Sequence, residues 1–179
     1  MGQYYNPCIL TENKRQVKSW VYSHKYGSGL KLMEHSYLNV NFIKAFESLI
    51  LDTPKIVVWC GDYADEVKGC KTNLYDRCND KNEVTPTPLN EEINYVINHT
   101  KKQFVDVTKT PKDSDGWQIH PLPLLTCYGN GRGGGDFFIN PKKEQGNVEL
   151  IGSWAFDLIS VSRKKPKDFT ELVFDLIER

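Results

Sequence analysis

Asn94-Tyr95-Val96-Ile97-Asn98-His99-Thr100-Lys101-Lys102-Gln103-Phe104-Val105-Asp106-Val107 is the stretch that decides the fold class. Two runs rich in β-branched and aromatic residues, Asn94 to Ile97 and Phe104 to Val107, flank the polar segment Asn98 to Gln103, as a β-hairpin requires. Asn98-His99-Thr100 also matches a glycosylation acceptor, but it reads better as the turn. A second hairpin is expected from Tyr4 to Leu10 and Gln16 to Tyr22 around Thr11 to Arg15, with Pro7 marking an edge or a bulge. Lys55 to Cys60 is a nearly continuous apolar run of the kind found in mid-sheet, and Leu150 to Ser162 reads as a further strand.

Helical spacing occurs twice. Phe42, Ile43, Phe46, Leu49 and Ile50 predict a helix over Asn39 to Leu51, capped by Asn39 and stopped by Asp52, Thr53 and Pro54. Phe169, Leu172, Val173, Leu176 and Ile177 predict another over Lys167 to Glu178, behind Pro166 and with Asp168 in its first turn. The expected fold is α+β, a mainly antiparallel sheet with two amphipathic helices. Residues 65–89 are rich in Gly, Asn, Asp and Thr-Pro steps, so an irregular excursion is expected there.

A chain of 179 residues suits one compact domain, 1–179, with a substantial core. A weak repeat suggests two related halves, about 4–66 and 93–162. Trp20, His24, Tyr37, Asn39 and Trp59 in the first run in the same order as Trp117, His120, Tyr128, Asn130 and Trp154 in the second. Tyr26-Gly27-Ser28-Gly29 is a rival match to Tyr128-Gly129-Asn130-Gly131. Coincidence in a chain rich in Trp and Tyr is the competing account.

Lys plus Arg number 23, as do Asp plus Glu, so no overall field exists to collect nucleic-acid polymer or anionic lipid, and any anion site must be local. The zero net charge also predicts poor solubility near neutral pH or a homo-oligomer that covers part of the surface. The N-terminus lacks a signal peptide, no apolar run approaches membrane-spanning length, and Asn6 stands where a myristoylation motif needs Ser or Thr. A cytoplasmic protein without a membrane partner is expected.

Tyr128-Gly129-Asn130-Gly131-Arg132-Gly133-Gly134-Gly135-Asp136 holds five glycines in the seven residues from Gly129 to Gly135. Glycine admits positive φ, so successive N–H groups can converge into a nest for phosphate or carboxylate oxygens. Arg132 adds a two-pronged contact, Asn130 a bond to a sugar or base edge, and Asp136 a partner for Arg132 or a ribose hydroxyl. The segment is neither a Walker loop nor a Rossmann fingerprint. It lies between Leu122 to Cys127 and the short strand and turn Phe137-Phe138-Ile139-Asn140-Pro141, and the competing account is a glycine bulge without a ligand. Trp117, Tyr128, Trp20 and Tyr26 can stack on a base or fill the core.

Candidate acid-base residues are His24 and His120, with Asp62 as a helper at a strand end; buried, hydrogen-bonded histidines and a turn-stabilising Asp are the alternatives. Cys8, Cys60, Cys70, Cys78 and Cys127 form no CxxC pair, and Cys60 and Cys127 read as inert buried thiols. No HExxH or other ligand spacing occurs, so neither metal nor cofactor is expected.

The opening Met1-Gly2-Gln3-Tyr4-Tyr5, the run Tyr26-Gly27-Ser28-Gly29-Leu30-Lys31-Leu32-Met33-Glu34-His35, Trp59-Cys60-Gly61-Asp62-Tyr63-Ala64-Asp65 and Tyr128 to Asp136 resemble a family of small bacterial and phage-encoded proteins. The resemblance spans most of the chain and establishes no activity. It implies a setting in the host cytoplasm and sequestration of a nucleotide signal in phage–host conflict. The leading expectation is therefore binding of a small anionic, nucleotide-like ligand by Trp117, His120, Tyr128, Gly129, Asn130, Gly131, Arg132, Gly133, Gly134, Gly135 and Asp136. An enzyme acting on a phosphorylated substrate through His24, His120 and Asp62, and a protein-interaction module, are the alternatives.

Overall fold

The computed structural model describes residues 2–130 and 146–177. Both expected hairpins form: β1 (Tyr5–Leu10) pairs antiparallel with β2 (Val17–Trp20), and β4 (Tyr95–Asn98) with β5 (Gln103–Asp106). With β3 (Lys55–Gly61), β6 (Cys127–Tyr128), β7 (Leu158–Ser162) and β8 (Thr170–Glu171) they make an eight-stranded sheet of order β2-β1-β3-β7-β4-β5-β8, β6 pairing with β3. Antiparallel pairing dominates, the exceptions being β3 with β6 and β5 with β8. The described helices are α1 (Leu32–His35), α2 (Asn41–Ile50) and α3 (Pro121–Thr126), so the class is α+β.

The sheet order reads β2-β1-β3 from one edge and, omitting short β8, β5-β4-β7 from the other, with β3 and β7 antiparallel at the middle. The tryptophan landmarks do not follow that order. Trp20 lies buried on β2 while Trp117 is exposed in a turn, and Trp59 lies on β3 while Trp154 precedes β7.

Alternation sorts the strands into two faces. Tyr5 and Ile9 of β1 and Val57 and Trp59 of β3 face α2 and α3, joining Phe42, Phe46, Leu122 and Leu125 in the larger core. Cys8, Leu10, Val58 and Cys60 face the other way, where Leu74 covers them. Leu74 belongs to the long β3–β4 connection, whose regular structure is one 3-10 turn, Tyr75–Arg77. Backbone groups there find partners through side-chain amides: Asn73 Nδ2 donates to the carbonyls of Asp62 and Ala64, and Asn82 Nδ2 to those of Val17 and Arg77. The Trp20 indole N–H donates to Asn79 O at 2.9 Å, holding the connection along the β2 edge.

Three expectations need correction. The C-terminal stretch from Lys167 is not a helix. Asp168 takes a left-handed φ of 61°, the N–H groups of Thr170 and Leu172 donate to the carbonyls of Lys102 and Phe104, and Phe174 and Leu176 are buried while Val173 is exposed. A two-residue alternation laid along the open edge of β5 replaces the three-to-four-residue spacing. Asn39 is not a helix cap: it sits at φ 67° before a helix that starts at Asn41, a left-handed conformation that asparagine tolerates better than most residues. Of the stretch Leu150 to Ser162, read as a strand, only Leu158–Ser162 is one.

Candidate functional site

Strand β6 runs parallel to the end of β3 and delivers Gly129 and Asn130 beside Gly61. Gln3 grips this exit: its Nε2 donates to Asn130 O and its Oε1 accepts from Asn130 N–H, both at 2.9 Å. A Cβ at Gly129 would lie 2.4 Å from Gln3 Oε1 and 2.7 Å from the Tyr5 hydroxyl, so any larger residue here displaces the Gln3 side chain that grips Asn130. Asp62 stands at the same strand end, but its carboxylate accepts from Tyr4 N–H at 3.0 Å and so extends the β1–β3 ladder. The rest of the glycine-rich segment, Gly131, Arg132, Gly133, Gly134, Gly135 and Asp136, and the strand expected over Phe137 to Ile139 lie outside the described residues.

Tyr128 projects toward the face covered by the β3–β4 connection and meets Phe156 edge-on, ring centroids 4.9 Å apart. The two rings line a cleft of about 360 Å³ with Lys14, Arg15, Lys68, Asp65 and Glu66. Burial, then the nearby Asp65 carboxylate, pushes the Tyr128 hydroxyl above its ordinary pKa. The β1–β2 turn fixes the backbone that carries Lys14 and Arg15. Lys14 N–H donates to Thr11 O, Arg15 N–H to Asn13 Oδ1, and the Arg77 guanidinium to Arg15 O at 2.6 Å.

His120 lies elsewhere, on the helix side of the sheet, as the N-cap of α3. Its Nδ1 accepts from Leu122 N–H at 3.1 Å, which leaves the ring proton on Nε2, donated to Glu47 Oε1 at 2.6 Å. Both residues are buried, and they line a cavity of about 260 Å³ with Lys44, Asn94 and Gln118. With both ring nitrogens hydrogen-bonded, His120 ties α2 to α3. Glu47→Ala, which strands the buried Nε2–H, is expected to cost about 1–3 kcal/mol in urea unfolding. Glu47→Gln, which keeps an acceptor oxygen, should lose less than half as much; equal losses would show that the hydrogen bond is not what the carboxylate contributes.

His24 is exposed, its Nδ1 2.8 Å from the Tyr22 hydroxyl. His24, His120 and Asp62 share neither a hydrogen-bond partner nor either of these cavities. Trp117 packs on Tyr37 with centroids 5.1 Å apart and lines neither cavity. Of the residues read as ligand-binding and described, Tyr128, Gly129 and Asn130 cluster together, while His120 and Trp117 stand apart.

The structure also gathers three cysteines, of which Cys60 reads from sequence as an inert buried thiol. No disulfide links the five cysteines, but the Sγ of Cys8 lies 3.7 Å from that of Cys60 and 3.5 Å from that of Cys78, and all three sulfurs lie within 4.8 Å of one another. Burial pushes the Cys8 and Cys60 thiols well up, whereas hydrogen bonds from Cys60 and then Cys8 pull Cys78 down to about 5. Tyr75 beside them is pushed up to about 12, first by burial and then by Asp62.

No protein-family model, curated protein or solved structure matches the chain. Among the described residues no helix is long and apolar enough to cross a membrane.

Proposed function

We propose that this chain binds a small anionic, nucleotide-like ligand in the cleft beside Tyr128, at the head of the glycine-rich segment Gly129 to Asp136. The observation that carries the reading is one cleft holding the Tyr128–Phe156 ring pair and the cations Lys14, Arg15 and Lys68 at the point where β6 enters that segment. Aromatic faces accept any base, and Lys14, Arg15 and Lys68 supply positive charge for phosphate oxygens. A volume of about 360 Å³ falls in the range of small-molecule pockets. Binding without turnover is favoured over catalysis because the acid-base candidates do not meet in this cleft: none of His24, His120 and Asp62 lines it. Such a protein would act by sequestration.

Calorimetric titration with nucleoside mono- and diphosphates and cyclic nucleotides tests the proposal. A member of the panel should bind, with affinity reduced about tenfold or more by Tyr128→Ala and by the Lys14→Ala, Arg15→Ala pair. Chromatography should recover the nucleotide unchanged. Silence across the panel, or binding indifferent to both variants, would sink this site.

A further inference from the structure

Cys8 and Cys60 come from adjacent antiparallel strands. Asn6 stands opposite Cys60 and Cys8 opposite Val58, so Asn6, Cys8 and Cys60 all face the β3–β4 connection. Cys78 follows the 3-10 turn of that connection and completes the triangle from above. The sulfur separations of 3.7 and 3.5 Å are far beyond the roughly 2.05 Å of a disulfide. They are close to the edge of a zinc–thiolate tetrahedron, about 3.8 Å for bonds of roughly 2.3 Å.

The same place holds a side chain with an unused donor oxygen. Asn6 is 4% exposed and its Oδ1 is buried with no hydrogen-bond partner, while its side-chain amide reaches the Cys78 sulfur. An acceptor oxygen in such a position ordinarily costs about 1–3 kcal/mol. Rotation of the amide about Cβ–Cγ exchanges its two ends and turns that oxygen toward the sulfurs. Three thiols and the Asn6 side-chain amide, from three chain segments, thus converge under a connection that has almost no regular structure of its own.

We propose that Cys8, Cys60 and Cys78 hold a thiophilic divalent cation of the zinc type, with the Asn6 amide oxygen as the fourth donor. The site is closed and structural. Each thiol that is protonated loses its proton to solvent as the metal–sulfur bond forms, so affinity rises with pH, and no oxidant or reductant takes part. The cation staples the β3–β4 connection to β1 and β3 and thereby holds one wall of the Tyr128 cleft, since Leu74 and Lys68 of the connection line that cleft. The assignment stands on the thiols and Asn6 alone and does not rest on the ligand reading.

Co²⁺ titration of the full, reduced, metal-free chain tests it. One Co²⁺ per chain should bind, with thiolate-to-cobalt charge-transfer absorption and the intense visible bands of a tetrahedral site, and one equivalent of Zn²⁺ should displace it. Cys78→Ser should abolish these bands, Asn6→Ala should weaken binding about tenfold or more, and Cys70→Ser and Cys127→Ser should leave both intact. If Cys78→Ser does not fold, alkylation of the wild-type chain decides: Zn²⁺ should protect Cys78, the partly exposed member of the cluster, from iodoacetamide and leave the partly exposed Cys70 open. Absence of the bands in folded wild-type chain, bands that persist in a folded Cys78→Ser variant, or alkylation of Cys78 at the same rate with and without Zn²⁺ would each overturn the site. None of these readouts involves a nucleotide, so a chain that binds Zn²⁺ but no nucleotide retains this site and loses only the cleft proposal.

Discussion

Trp59→Ala should lower the unfolding free energy by about 3–5 kcal/mol, the largest effect expected of any single core truncation described here. Trp59 is fully buried at the centre of β3, its ring 5.0 Å from Phe46 and 5.9 Å from Phe42, both edge-on. Aromatic pairs of this geometry add about 0.5–1.5 kcal/mol each beyond area burial. Its indole N–H also donates to His35 Nε2 at 2.9 Å, so truncation strands a buried acceptor as well as opening a cavity. Because small domains are stable by only about 5–15 kcal/mol, the variant should stand close to its unfolding transition at room temperature. Urea unfolding followed by far-UV circular dichroism is the measurement, and a loss under about 2 kcal/mol would mean that the core is not organised around this ring.

Acidification from pH 7 to pH 4 should cost about 3 kcal/mol through His35. The ring is fully buried and satisfied as the neutral species: Nε2 accepts from Trp59, and Nδ1–H donates to Gly29 O at 3.0 Å. Burial pulls its pKa down to about 4, against smaller upward pulls from the Gly29 carbonyl and Glu34. The unfolded chain takes up its proton near pH 6.5, the folded one only near pH 4. The stabilisation is therefore complete above pH 6.5 and is lost as pH falls through that window, with a slope approaching about 1.4 kcal/mol per unit. His99 shifts in the same direction by burial and adds a weaker slope of the same sign. His35→Gln keeps an acceptor and a donor without a titrating group, so its unfolding free energy should be nearly flat between pH 6.5 and 4.5. An unchanged slope in that variant would assign the acid sensitivity to other groups.

The residues that could be read correctly from sequence are those whose structure is decided within a few neighbours. Val96-Ile97 and Phe104-Val105 carry their own alternation and turn, and Phe42, Ile43, Phe46 and Ile50 mark a helix that is buried on that face. The C-terminal run fits both a helical and an alternating pattern, as short apolar runs do. The unsatisfied edge of β5 broke the tie by taking Thr170 and Leu172 into the sheet. Site residues divide the same way. Tyr128 to Asn130 drew notice because glycine density is visible locally, whereas Gln3 has no local sign of the 127-residue reach by which it holds Asn130.

The sequence by itself determined an α+β chain with two hairpins, one amphipathic helix before a central apolar strand, and a glycine-rich exit after Tyr128. Backbone propensity and side-chain period act over a few residues and need no partner, so they are written in order along the chain. Only the tertiary structure decided which face each strand residue shows and which distant segments meet there. Cys8 and Cys78 are 70 residues apart in sequence and 3.5 Å apart in space. Strand pairing chose the first of those positions and the folded β3–β4 connection the second, so neither the thiol cluster nor the separation of His120 from Tyr128 has any spacing that a reading of the chain could register.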